Sequence, residues 1–176
     1  MTKKCLNIAC GDNKWEGFIN IDMNPELKPD LVCDIRTESL PYEDGTVDDI
    51  WFCHAIEHIE KRAHPNVVSE FARVLKKEGS LYMSWPDFNE VVSNWQNNYL
   101  GKREFWENCV YGRQQSIGDY HVCIVTDNYI QELLMAAGFT DLDVKEEPDA
   151  SFYHMIKAIK TLEPAFRDSE LVQQRA

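Results

Sequence analysis

The sequence is short of positive charge. Eighteen Lys and Arg stand against 30 Asp and Glu in 176 residues, a formal net charge of −12. Such a field repels phosphate backbones, so no nucleic-acid partner is expected. The shortage is also local, because residues 37–60 and 114–144 contain no Lys or Arg at all. Missing too is any apolar run near the roughly 20 residues that cross a bilayer, so no membrane partner is expected. The stretch 5–10, interrupted by Asn7, is too short for the apolar part of an export signal, and the expected location is cytoplasmic. None of the six cysteines (5, 10, 33, 53, 109 and 123) forms C-x-x-C. That leaves reduced, buried thiols as the plain reading. No repeat, low-complexity tract or linker is present.

What is present is the composition of a folded chain, 44% hydrophobic and 11% aromatic, about one domain long. A single domain is expected over 1–160, with a polar tail over 161–176. Short apolar runs at 6–10, 18–22, 31–34 and 47–53 read as strands, each ending in a small or acidic residue before polar, Gly- or Pro-containing sequence. From 65 to 77 the period changes: Val67, Val68, Phe71, Val74 and Leu75 form a helical stripe that Gly79 should stop. Residues 80–85 predict a fifth strand. Asp87 offers an N-cap with Glu90 three residues on. Thr126 caps a helix whose apolar face is Ile130, Leu133, Leu134 and Ala137. Residues 142–145 and 152–159 predict a closing hairpin, and 100–125 is the least regular stretch. Alternating strands and helices imply an α/β fold with a mostly parallel, seven-stranded Rossmann-like sheet and a C-terminal antiparallel hairpin.

Ligands of open α/β sheets bind beyond the carboxyl ends of the strands. The first strand ends in the small residues Ala9-Cys10-Gly11, the second in Asp22, the third in Asp34 and the fourth in His54. A carboxylate one strand from the glycine turn suits a ribose diol, and Asp34 could accept from an adenine amino group. The turn lacks two glycines of the dinucleotide pattern, carries Asp12 where pyrophosphate would sit, and lies only 11 residues before Asp22 instead of about 20. An adenosine ligand with a cationic amino group and a sulfonium fits better, which points to S-adenosylmethionine.

Leu6-Asn7-Ile8-Ala9-Cys10-Gly11-Asp12 and Gly17-Phe18-Ile19-Asn20-Ile21-Asp22 resemble the opening of class I S-adenosylmethionine-dependent methyltransferases of the small type 11-like group. The similarity continues through Asp34-Ile35, Leu40-Pro41-Tyr42-Glu43-Asp44-Gly45-Thr46-Val47-Asp48, His54-Ala55-Ile56-Glu57-His58 and Phe71-Ala72-Arg73-Val74-Leu75-Lys76-Lys77-Glu78-Gly79. It implies a methyltransferase using S-adenosyl-L-methionine, with Ala9, Cys10 and Gly11 at the methionine part, Asp22 at the ribose, Asp34 and Ile35 at the adenine, His54 and Ala55 near the sulfonium, and Met23 as a further cofactor-binding residue. Ala9 stands where the family usually carries glycine. The links 12–17, 23–30 and 35–46 lack helical pattern, so the early crossover helices look abridged and one sheet face thinly covered.

His54-Ala55-Ile56-Glu57-His58 also matches H-x-x-E-H, an inverted zinc-hydrolase motif, but it follows directly on a buried strand, and no metal is expected. The candidate groups for acceptor chemistry are His121 first and Asp87 second, with His154 less favoured; Asp87 doubles as an N-cap. The aromatics Trp95, Tyr99, Phe105, Trp106 and Tyr111 fit an acceptor pocket or a satellite core equally well. The basic-free segments favour a small-molecule or sugar-type acceptor over an anionic polymer. A non-catalytic S-adenosylmethionine-binding scaffold is the alternative, and the thinly covered face makes a homodimer an expected partner state.

Overall fold

The structure is a computed structural model and describes residues 3–114, 118–147 and 150–161. Seven strands, β1 (Cys5–Ile8), β2 (Ile19–Asp22), β3 (Leu31–Val32), β4 (Val47–Cys53), β5 (Leu75–Pro86), β6 (Phe139–Glu147) and β7 (Ala150–Lys160), form one sheet. Their order is β3-β2-β1-β4-β5-β7-β6. The first five are mutually parallel, and β7 runs antiparallel to both β5 and β6. This is the α/β sheet with a C-terminal antiparallel hairpin expected from the sequence. The chain walks outward from β1 to β3 and then returns to β4, which puts the topological switch point between β1 and β4.

Among the described residues four α-helices accompany the sheet: α1 (His64–Val74), α2 (Phe88–Gln96), α3 (Arg103–Tyr111) and α4 (Asp127–Ala136). Because side chains alternate along a strand, Leu6, Ile8, Ile50, Phe52, Leu81 and Met83 share one face and are buried there. Val67, Val68 and Phe71 of α1 and Ile130 and Leu134 of α4 complete this core. A fully buried side chain of this size contributes about 1.5–3 kcal/mol. The caps follow the sequence, with Asp87 accepting from the Asn89 and Glu90 amides and Thr126 from the Tyr129 amide.

His64 opens α1 and is wholly buried. Its Nε2 bonds the Ile59 carbonyl at 2.8 Å, so Nδ1 accepts from the Tyr129 hydroxyl at 2.8 Å. Burial lowers the pKa of this imidazole, and nearby Lys61 acts in the same direction, while its backbone partners and Glu60 oppose it. The folded state therefore binds fewer protons than the unfolded one below the ordinary histidine pKa. Stability due to neutral His64 is present above about pH 6.5 and is lost as pH falls toward the lowered folded value. We expect the stability difference between the native chain and His64→Gln to shrink between pH 7 and pH 5 in urea titrations. A difference constant over that range contradicts the assignment.

Several strand bounds shift by a few residues, and two larger differences from the sequence reading concern α1 and the stretch 100–125. Helix α1 ends at Val74, not Lys77, because Leu75 pairs with Val47 and starts β5. Gly79 is then no helix stop. It lets the irregular start of β5 lie against β4, where a Cβ would meet the Lys76 and Asp48 carbonyl oxygens at 2.9 and 3.0 Å. The irregular stretch 100–125 holds α3, whose Trp106 and Cys109 pack with Val91 of α2 in a second small core. Trp106 therefore belongs to a satellite core, whereas Trp95, Tyr99, Phe105 and Tyr111 are exposed. The tail beyond 161 lies outside the described residues.

The opposite sheet face carries a row in register: Asn20, Asn7, Trp51, Tyr82 and Lys157. Trp51 and Tyr82 stack at 4.1 Å, and Trp15 from the 12–17 link packs edge-on against Trp51 at 5.2 Å. The link itself is tied by the buried Asn20 amide, which accepts from Asn7 Nδ2 and the Trp15 amide and donates to Asp30 and the Trp15 and Phe18 carbonyls. A polar network and an aromatic stack thus line this face beside the helix-free 12–17 link. The thin cover expected on one face is the result.

Candidate functional site

The carboxyl ends of β1 to β4 meet at one edge and bring the predicted cofactor residues together. Beyond β1 the chain turns through Ala9 and Gly11, with φ of 55° and 54°. The left-handed conformation costs a non-glycine residue roughly 1–2 kcal/mol, so Ala9 is held there by its surroundings. The Cys10 amide bonds the Ile21 carbonyl at 3.0 Å, and the Gly11 amide bonds Asp22 Oδ2 at 2.9 Å. Asp22 Oδ1 accepts from the Asn24 amide at 2.9 Å. The carboxylate is thereby aimed along the strand ends, and a Cβ added at Gly11 would meet nothing within 4 Å. Small backbone, fixed anion and adjacent free space lie side by side.

Asp34 sits one strand further out and is not alone. Arg36 grips it in a fork, Nε to Oδ1 and a terminal nitrogen to Oδ2, both at 2.8 Å. The same guanidinium reaches Met23 Sδ at 3.4 Å. The Arg36 hydrogen bond holds the Asp34 carboxyl below the usual carboxylate range. Arg36 escaped the sequence reading because an i, i+2 pair in a loop has no periodic signature. His54, also at positive φ (50°), and buried Ala55 follow β4; the His54 ring meets Tyr153 edge-on at 4.5 Å.

Next to this edge lies a second group. Residues 56–58 form a single 3-10 turn in which Ile56 and Glu57 are buried. The Glu57 carbonyl accepts from the Val122 and Cys123 amides, and the Val125 carbonyl from the Phe88 amide. These bonds hold 121–125 as a strap between the ends of β4 and β5. Gly112 makes the approach possible, since a Cβ there would overlap the Asp119 carbonyl. The strap stacks His121 edge-on against His58, with ring centroids 4.7 Å apart. Burial, with His58 close by and His54 more weakly, pushes His121 down to about 4, so its ring is neutral at pH 7. Burial pushes the Glu57 carboxyl up to about 8.

Of the two groups read as acceptor-side candidates, the structure leaves His121 beside this cluster with one ring nitrogen accounted for, Nδ1 on the Cys109 carbonyl at 3.0 Å. Asp87 is committed differently. Its Oδ1 caps α2 and its Oδ2 accepts from the Asp127 amide at 3.1 Å, so three backbone amides occupy it. His154 pairs with Asp127 at 2.7 Å. Glu57 and His58 were visible only as part of H-x-x-E-H.

Solved structures share the fold of this chain. A chain from Methanosarcina mazei described as a SAM-dependent methyltransferase is 19% identical, with 93% of this chain and 95% of that one covered at a TM-score of 0.66. This is the Rossmann-like methyltransferase fold. A SAM-dependent methyltransferase from Archaeoglobus fulgidus is 14% identical over 90% of this chain and 86% of that one, TM-score 0.66. A Bordetella parapertussis chain described as a possible exported protein is 16% identical at the same TM-score; 91% of this chain is covered, but it spans only 62% of that one. Residues 13–83 match a family model described as a methyltransferase domain. No curated protein sequence matches the chain. The resemblance to class I methyltransferases read from the motifs thus recurs in the family match and in the fold. Among the described residues no helix is long and apolar enough to cross a membrane.

Proposed function

We propose that the protein is an S-adenosylmethionine-dependent methyltransferase acting on a small, uncharged or cationic acceptor, such as a sugar hydroxyl or an amine. The Asp22 carboxylate carries this reading: two backbone amides fix it at the end of β2, one strand from the switch point of a methyltransferase fold and beside the open space at Gly11. Each of its oxygens keeps a lone pair for one ribose hydroxyl. Asp34 would take the adenine amino group on the side that Arg36 leaves free. Ala9, Cys10 and Gly11 would flank the methionine part, with Met23 and Ile35 along the nucleoside and His54 and Ala55 toward the sulfonium.

The donor supplies an activated methyl group, so the chain mainly has to align acceptor and methyl in line. His121 is the residue we assign to the acceptor. With Nδ1–H donated to a carbonyl, its Nε2 carries the lone pair that can receive the acceptor's proton. The lack of Lys and Arg over 37–60 and 114–144 supports an acceptor without phosphate or other strong anionic charge.

Incubation with S-adenosylmethionine and a fractionated small-molecule extract tests the reading by release of the demethylated product. We expect release only with extract, and His121→Ala to lower it at least about tenfold while donor binding is unchanged, a loss typical of one acid–base group. Donor binding without release in any fraction would favour the scaffold alternative; full turnover in His121→Ala would remove that residue from the mechanism.

A further inference from the structure

We propose that Glu57, His58 and His121 together hold a divalent transition-metal ion beside the donor edge. One ligand atom from each residue lies within 4.8 Å of the other two. The ring tautomers are set for coordination. Nδ1 of His58 donates to the Tyr120 carbonyl at 2.9 Å and Nδ1 of His121 to the Cys109 carbonyl at 3.0 Å. A carbonyl can only accept, so both neutral rings turn a bare Nε2 outward from those bonds. Metal-binding imidazoles are commonly fixed in this way by a carbonyl on the second nitrogen.

Glu57 gives an independent sign. It is 2% exposed, and its Oε2 is buried without a hydrogen-bond partner. A carboxyl oxygen buried without a partner is costly and rare, and a cation that displaces the carboxyl proton supplies that partner. Glu57 and His121 also line one small cavity with Pro86, Phe88 and Cys109, which has room for about one water molecule. That space can take a further ligand of the ion. Two imidazoles and one carboxylate form a borderline donor set that suits Zn²⁺ or Fe²⁺ better than Ca²⁺ or Mg²⁺.

The set differs from the one H-x-x-E-H implies. His54 goes to the donor edge against Tyr153, and His121, brought in by the strap, replaces it. The other acid–histidine group, Asp87, Asp127 and His154, is a weaker candidate, because amides and the Asp127–His154 pair already occupy it. A catalytic use rests on the methyltransferase reading. With the ion bound, the Nε2 lone pair of His121 is spent on it, and the base role given to His121 above applies to the metal-free chain alone. An acceptor hydroxyl at an open position would then lose its proton to water, and its oxygen would bond the methyl carbon as the carbon–sulfur bond breaks.

Metal-stripped full-length protein titrated with Zn²⁺ by calorimetry, and with Co²⁺ by absorption, tests the site. One equivalent should bind, with visible cobalt bands and no near-ultraviolet thiolate band from Cys109 or Cys123. His58→Gln and His121→Gln should each weaken Zn²⁺ by about 100-fold, at least what losing an outer-shell partner can cost, while still binding S-adenosylmethionine. No binding by the native chain, a thiolate band, or undiminished binding in either variant overturns the proposal. The cobalt spectrum of the native chain decides even if a variant fails to fold. Donor binding without metal binding sinks the metal site alone, and metal binding without donor binding sinks the methyltransferase reading alone.

Discussion

Asp22→Ala is expected to weaken S-adenosylmethionine binding by about 100- to 1,000-fold. Two backbone amides, from Gly11 and Asn24, fix the orientation of this carboxylate at the end of β2, beside the switch point. A hydrogen bond to a charged acceptor contributes about 1.5–3 kcal/mol, and a ribose diol offers two. About 3–4 kcal/mol corresponds to two or three decades in Kd. The substitution also leaves the Gly11 amide unpaired at the turn it helps to shape. Asp34→Ala should cost less, because that carboxylate is already shared with Arg36. Titration calorimetry on the two variants reads the order directly. Equal losses, or a larger loss at Asp34, would move the anchor of the site one strand outward.

Asn20→Leu is expected to destabilise the chain by about 3–5 kcal/mol, although Leu fills a similar volume. Asn20 is 6% exposed, and its side chain serves four partner residues on three segments: Asn7 of β1, Trp15 and Phe18 between β1 and β2, and Asp30 before β3. Each buried polar group left unsatisfied costs about 1–3 kcal/mol. Leu would strand at least the Asn7 amide and the Trp15 N–H. It would also free Trp15 from its place over Trp51, which uncovers the aromatic face. Urea unfolding checks this through the midpoint at unchanged slope. A loss under 1 kcal/mol would mean that the aromatic stack alone holds the link.

The cofactor edge was legible in the sequence because it depends on local order. Strand runs end in Ala9-Cys10-Gly11, Asp22, Asp34 and His54, and parallel pairing aligns those ends without further information. The end of α1 was not legible. Leu75 continues the helical stripe of Val67, Val68, Phe71 and Val74, and only pairing with Val47 pulls it into β5. Tertiary pairing outweighed a propensity worth tenths of a kcal/mol per residue. Helix α3 hid for another reason. Lys102 gives it no side-chain cap, and its buried positions are only Trp106 and Cys109.

The cluster at Glu57, His58 and His121 was half visible. H-x-x-E-H marks two of the three, but the third lies 63 residues after His58. Tertiary bonds bring it close, from the Val122 and Cys123 amides to the Glu57 carbonyl and from His58 Nδ1 to the Tyr120 carbonyl. The same bonds explain why His121 is buried enough to be neutral, a property no spacing in the sequence encodes. Asp87 shows the converse. Its capping role was readable from Asp87 and Glu90 alone, and the structure adds a third amide, from Asp127, that binds the start of α4 to the end of β5.

Calorimetric titration of the full-length protein with S-adenosylmethionine and with its demethylated product tests the account most directly. It predicts one equivalent of each bound, with both isotherms lost or shifted by at least two decades in Asp22→Ala. No heat from either ligand at millimolar concentration, or isotherms unchanged by Asp22→Ala, would contradict the assignment of the donor to this edge of the sheet.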